Sequence, residues 1–347
     1  MKENLQKLTL AQRRLVFFMI IVGGLLLITA VTLLLLAGAF NASRSQAVAL
    51  LPTIGVREFA QLPDEDAYPM ALAAAPDGIL FTGSFATGAI WQISPEGEVT
   101  EIPNTRATIG AVAGLAVLPD GSLIVVDQQD TDPRTAGGAL WCVTRSGEIM
   151  PFASAPIDRG WLAPNDVTLD AQGRVYVSDP GRNEIWRFSP DGEDGSVWWV
   201  PPLREGEPRP ALTGLAYDPI RDAVLVSDPE VNRIYAVSVN GGQGTVVLYE
   251  HGDRPNPPGF DGLTVTDDGR IFVAALGQNG IATIEPDGSL GYIAGLFRGS
   301  SDVVFAAPNR LYVTNFDGSS LVLPLITPSL PFAIDEITLG LTPVDET

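Results

Sequence analysis

The sequence predicts an all-β protein, a six-bladed β-propeller, carried behind one N-terminal transmembrane helix. Three observations lead there. Residues Leu15 to Phe40 form an unbroken apolar run, LVFFMIIVGGLLLITAVTLLLLAGAF. A strand-and-turn unit then recurs six times at intervals of 40 to 52 residues. Between those units, short β-branched and aromatic segments follow one another with no helical periodicity.

The apolar run spans 26 residues, and at ~1.5 Å per residue a helix of that length covers ~39 Å, more than the ~30 Å of a bilayer core. It lacks the polar face of a soluble core helix. Lys2, Lys7, Arg13 and Arg14 precede it against a single Glu3, and only Arg44 follows closely. Positive flanks stay in the cytoplasm, so the chain after Phe40 is predicted outside the cell membrane, periplasmic or extracellular, with the N-terminus inside. Ala37-Gly38-Ala39 fits a signal-peptidase site, but the run exceeds the 7–15 apolar residues of a cleaved signal and is read as a retained signal anchor. Gly23 and Gly24 lack the small-xxx-small spacing of a helix-dimer seam.

Both lysines of the chain lie in its first 14 residues. Beyond Phe40, 17 arginines face 40 acids, a net charge of −23. A nucleic-acid partner would need a basic stripe, and none is present. The single Cys142 rules out an internal disulfide, and its apolar surroundings, GALWCV, mark it as a core residue. His251 is the only histidine, which argues against a zinc site or a histidine relay.

The six matching segments are MALAAAPDG, AGLAVLPDG, NDVTLDAQG, TGLAYDPIR, DGLTVTDDG and SDVVFAAPN, beginning at Met70, Ala113, Asn165, Thr213, Asp261 and Ser301. Each reads as an apolar strand followed by a tight turn, often Asp-Gly, which supplies positive φ at low cost. A second strand follows (ILFTGS, SLIVVD, RVYVSD, AVLVSD, RIFVAA, RLYVTN), then a third (AIWQIS, ALWCVT, EIWRFS, RIYAVS, GIATIE) and a fourth (GEVTEI, GEIMPF, GSVWWV, GTVVLY, GSLGYI). Four short strands per unit are the composition of a propeller blade.

Blade six is incomplete: SSDVVFAA and RLYVTN are followed by SSLVLPLI as its third strand, then by a proline-rich tail. Thr53–Leu62, TIGVREFAQL, resembles the fourth strands of other blades and is predicted to close the ring, removing an open edge. The expected organisation is a cytoplasmic tail at 1–14, the transmembrane helix at 15–40, a linker at 41–52, the propeller at 53–326 and a C-terminal tail at 327–347.

Aligned repeats place each column on a ring around the central channel. Met70, Ala113, Asn165, Thr213, Asp261 and Ser301 mark one face, followed in the next column by Asp166 and Asp302. Ser84, Asp127, Asp179, Asp228, Ala275 and Asn315 end the second strands on that face. Oxygen donors of this kind suit a hard cation such as Ca²⁺ or Mg²⁺. The recurring Asp127, Asp179 and Asp228 read as turn-binding, architectural residues. Asn165 and Asp261 depart from the small or neutral members of their column and are the sharper functional candidates. The insertion QQDTDPRTAGG (Gln128–Gly138) lies on this face as a lid or partner loop, and Trp161 either walls the pocket or packs in the core.

The segment PNDVTLDAQGRVYVSDPGRNEIWRFSPDG resembles a repeat of the senescence-marker/gluconolactonase/luciferin-regenerating-like family of six-bladed propellers, whose repeat grammar strictosidine-synthase-like and NHL propellers share. The resemblance implies a central divalent cation, often calcium, held by four first-column side chains: a Glu, two Asn and an Asp. Asn165 in PND and Asp261 in FDG match that set. Met70 stands where the Glu is expected and Thr213 where the second Asn is, so one charge of the shell is gone; Glu65 and Asp66 are its nearest acids in sequence. The candidate metal ligands are thus Asn165, Thr213 and Asp261, with Asp261 also as the catalytic residue, and Asp166, Ser301, Asp302 and Trp161 around them on the ligand face.

Two functions follow as expectations. One is a membrane-anchored, metal-dependent lactone or ester hydrolase. The other is a non-enzymatic propeller with a degenerate metal site, binding a small molecule or a protein at the channel face as a scaffold or accessory subunit.

Overall fold

The computed structural model describes residues 9–40, 46–132, 135–153, 160–241, 244–306, 308–323 and 325–340. Residues 1–8 of the N-terminal tail expected at 1–14, linker residues 41–45, residues 133–134 of the blade-two insertion and the end of the tail at 341–347 lie outside them. Two compact units result: Ser45–Gly318 with Leu330–Thr347, and Met1–Arg44 with Ser319–Ser329.

In the smaller unit, Leu10–Phe40 is a single helix of 31 residues. Its stretch Arg14–Leu33 is long and apolar enough to cross a membrane and is entirely unburied.

The larger unit is six antiparallel sheets. Blade one runs from its inner strand Pro69–Ala74 through Leu80–Ser84 and Ile90–Ile93 to Val99–Glu101. Blades two to five repeat that order from inner strands Val112–Val117, Val167–Leu169, Leu215–Asp218 and Phe260–Val265. Their second strands are buried along their whole length, as at Leu123–Asp127 and Val175–Asp179. The core therefore lies between blades, where Ile124 and Val126 of blade two meet Val175, Val177 and Trp186 of blade three.

Blade six joins the two ends of the chain. Val303–Ala306 and Arg310–Thr314 are followed by Ala333–Leu339 as third strand and Ile54–Gln61 as fourth. The N-terminal closing strand is therefore in place, with Arg57 donating from Nε and Nη2 to the Glu336 carboxylate at 3.0 and 2.9 Å. The third strand departs from the sequence expectation. SSLVLPLI does not supply it; Ser319–Val322 forms a helical turn, and the strand comes from the segment read as a tail. The physical reason is Pro324: a third strand is hydrogen-bonded on both edges, and proline has no N–H to give. The segment AIDEITL has no proline, and its two isoleucines are fully buried. The propeller thus extends past residue 326. The linker also contributes, since Val48–Ala49 pairs with Ala294–Gly295 as a fifth strand on blade five.

Candidate functional site

One face of the ring is set by bonds from side-chain hydroxyls to backbone carbonyls of neighbouring blades. The Ser178 hydroxyl of blade three donates to the Thr213 carbonyl of blade four (2.6 Å), and Ser227 of blade four donates to the Asp261 carbonyl of blade five (2.7 Å). Ser301 of blade six donates to the Met70 carbonyl of blade one (2.8 Å). The first-column residues are thereby pinned at corresponding heights, as the repeat alignment implies. Close approach of the strands demands small residues beside them: a Cβ on Gly214 would overlap the Asp261 carbonyl, and one on Gly262 the Asp302 carboxylate.

Asp166 and Asp302 occupy equivalent places on opposite blades. Asp166 accepts the amide of Val167 in its own strand and of Leu215 in the next blade, both at 2.7 Å. Asp302 accepts Val303 at 2.8 Å and Leu72 of blade one at 2.7 Å. Both are staples between inner strands, a role not visible in the sequence. Gly114, Gly214 and Gly262 hold the same column in blades two, four and five, so acids recurring on opposite blades were the available signal. Both carboxyls also line a channel cavity of about 400 Å³ walled by Leu72, Leu115, Leu215 and Leu263.

Asp261 completes an acidic centre. Burial, then the nearby Asp166 charge, push its carboxyl up to about 8, against a hydrogen bond from Thr213. Burial raises Asp166 too, opposed by its two amide donors. Asp302 is raised well above the carboxylate range by burial, then by the charges of Asp166 and Asp261. Three carboxyls at one place cannot all ionise cheaply without a positive partner.

Asn165 is 8% exposed, and among the described residues its side-chain amide has no hydrogen-bond partner. Thr213 shares its hydroxyl with Ser227 at 3.1 Å. Asn165, Thr213 and Asp261 therefore offer an amide, a hydroxyl and a carboxylate oxygen, donors that fit a hard cation in kind. Met70 offers none. Among the described residues no group of three His, Cys, Asp or Glu side chains forms a ready-made metal centre, so such a cation would rest on one direct carboxylate and two neutral oxygens.

The remaining candidates serve the scaffold. Asp127 accepts the amides of Gly110, Ala111 and Gln129 at 2.8 to 3.1 Å and the Trp141 indole at 3.1 Å. Asp179 binds the amides of Leu162, Ala163 and Arg182, and Asp228 those of Ala211, Glu230 and Val231. Each ties down the loop leading into its own blade. Trp161 is 3% exposed and packs on Trp186 and Phe188 in the core between blades two and three. Ser301 is spent on Met70 and the Thr314 hydroxyl. His251 is held by the Tyr249 hydroxyl at 2.9 Å and the carbonyls of Arg254 and Pro255.

Comparison with known proteins agrees with the propeller fold. Residues 103–317 match the SMP-30/Gluconolactonase/LRE-like region. The chain belongs to this family. A gluconolactonase of Zymomonas mobilis is 25% identical over 233 residues, covering 58% of this chain and 60% of that protein. This chain thus spans less than two thirds of that relative's length. Among solved structures, a Xanthomonas campestris gluconolactonase superposes with a TM-score of 0.60 at 16% identity, over 85% of this chain and 98% of that one. Regucalcin of Agrobacterium tumefaciens, described as a calcium-binding protein, gives 0.58 at 15% identity over 84% and 98%. A virginiamycin B lyase of Staphylococcus aureus gives 0.56 at 14% identity over 82% and 99%. At such identities the superpositions establish the fold alone.

Proposed function

We propose that this chain is a membrane-anchored lactone or ester hydrolase, working with a divalent cation, calcium first, at the first-column face. The observation that carries the reading is the burial of Asp261 near the Asp166 charge on the first-column face, which raises its carboxyl to about 8. Asn165, Thr213 and Asp261 would hold the cation, which when bound supplies a Lewis acid for a carbonyl and its developing oxyanion. Kept ionised by the charge of a bound cation, the Asp261 carboxylate would hold or deprotonate the attacking water. The Thr213 hydroxyl, held by Ser227, stands beside Asp261 and tempers its rise, and the unpartnered Asn165 amide can donate to a substrate oxygen. Family membership and the gluconolactonase relatives support the reaction class, and the regucalcin description supports the choice of calcium.

Met70 favours a second reading. A thioether where an oxygen donor is needed suits a binding propeller whose ligand, a small molecule or a protein, sits on the same polar face without turnover. Thermal melts of the full chain in detergent, with EDTA or added Ca²⁺, separate the two, because a ligand that binds only the folded state raises its melting temperature. The hydrolase reading expects a Ca²⁺-dependent rise that Asp261→Asn abolishes, and lactone hydrolysis lost in the same variant. No rise and no turnover across a panel of lactones and esters would leave the binding reading.

A further inference from the structure

Blade six carries an insertion whose character differs from the rest of the domain. The chain leaves its second strand at Thr314 and regains the sheet at Ala333. Thr314 lies beside Ser301, their hydroxyls 2.9 Å apart, so the insertion starts and ends on the first-column face. Its base is clamped by aromatic rings. Phe316 meets Tyr68 and Phe85 edge-on at centroid distances of 6.4 and 5.8 Å, and Phe332 packs on Tyr68 at 4.7 Å. From Gly318 to Ile334, 17 residues contain no charged side chain, although the chain beyond Phe40 carries a net charge of −23. The tip is apolar and exposed, Val322 at 75% and Leu325 at 59%. Ser319–Ser329 also groups with the N-terminal helix rather than with the propeller.

Chain direction adds an independent constraint. The first residue paired to the propeller after the helix is Val48, opposite Gly295. Gly295 ends the fourth strand of blade five, from which the chain runs through 296–300 to Ser301 in the first column. The chain coming from the helix therefore joins the propeller at the first-column face as well. Seven residues separate Phe40 from Val48, a tether of at most about 29 Å when fully extended.

We infer that residues 319–329 are a membrane-seated loop, whose uncharged apolar tip enters the lipid bilayer. The inference rests on the helix being a retained anchor. A lipid surface is the occupant that an uncharged Leu/Val/Ile tip fits, since an apolar side chain gains from leaving water while a charged one at that depth is penalised. The Gln128–Gly138 insertion of the same face, with two aspartates and an arginine, has no such character.

The test uses the full chain in liposomes with Cys142 replaced by Ala and an environment-sensitive fluorophore on a single introduced cysteine. Leu325→Cys probes the tip; Asp287→Cys, in an exposed turn at the opposite end of blade five, is the control. Both variants must melt as the parent does. The expected result is blue-shifted emission at position 325, quenched by lipid-borne spin labels, with water-like, unquenched emission at 287. A chain that resists carbonate extraction yet shows water-like emission at both positions overturns the loop assignment and leaves the anchor standing. A chain that carbonate extracts overturns the anchor, and this inference with it.

Discussion

A carboxyl held up to about 8, as Asp261 is, gives the cation-free protein a pH dependence opposite to that of its ion pairs. Its folded-state pKa lies above the ~3.9 of an unfolded Asp. Its contribution to stability is therefore complete below about pH 4 and is lost as pH rises through about 8. Asp166 and Asp302, raised by the same burial, act in the same sense. Glu207 and Glu250, held down first by Arg233, act oppositely, but only in the acid range. In EDTA the melting temperature should thus fall between about pH 5 and pH 8.5, and this fall should shrink in Asp261→Asn. Calcium binds the ionised form, so its stabilising effect should grow over the same interval. Melts that rise with pH in EDTA across this range would contradict the acidic centre. A second residue-scale prediction concerns spacing. Gly262→Ala places a methyl on the Asp302 carboxylate and should destabilise by about 1–3 kcal/mol, as overpacking does, measurable by denaturant titration. Asn165, Thr213 and Asp261 were legible as a ring because the repeat fixes their column. The stapling by Asp166 and Asp302 was not, because its partner amides belong to the next blade, and no local pattern encodes the distance between blades.

At the level of strands, blade six separates what periodicity reveals from what it hides. Ile54–Gln61 was legible because a fourth strand keeps its alternation wherever it falls in the chain. Ala333–Leu339 was not, because the clamped insertion displaces it from the spacing that the other five blades obey. Its importance follows from position: it is bonded to Arg310–Thr314 on one side and Ile54–Gln61 on the other, and Ile337 is fully buried among Phe272, Ile281 and Leu311. Ile337→Ala should cost about 2–5 kcal/mol by the loss of buried methylenes and the cavity left behind. Ending the chain after Ile326 removes an interior strand and leaves the closing strand without a partner. That truncation should fail to give a cooperatively melting propeller, whereas deleting 54–61 should lower the melting temperature and leave a folded ring with an exposed edge. Equal behaviour of the two deletions in thermal melts would mean that closure does not depend on the order of strands.

At the level of the whole molecule, charge and chain direction bear on the same question. The four basic residues of the first 14 face one acid, and the chain beyond Phe40 is acidic, with a net of −23. The bilayer surface is itself commonly anionic, so a propeller with this charge is repelled unless something holds it there. The proposed lipid contact of 319–329 would offset that repulsion. Two consequences can be measured together on vesicles of known sidedness. Protease added from the propeller side should reach the exposed turn 285–289 at the opposite end of blade five, while the segment 319–329 stays protected, and raising the anionic lipid content should weaken protection more at low salt than at high salt. Replacing Leu323 and Leu325 by Asp should expose 319–329 without changing the melting temperature of the propeller, since neither side chain belongs to its core. Protection that survives those two substitutions would show that the face is covered by something other than the apolar tip.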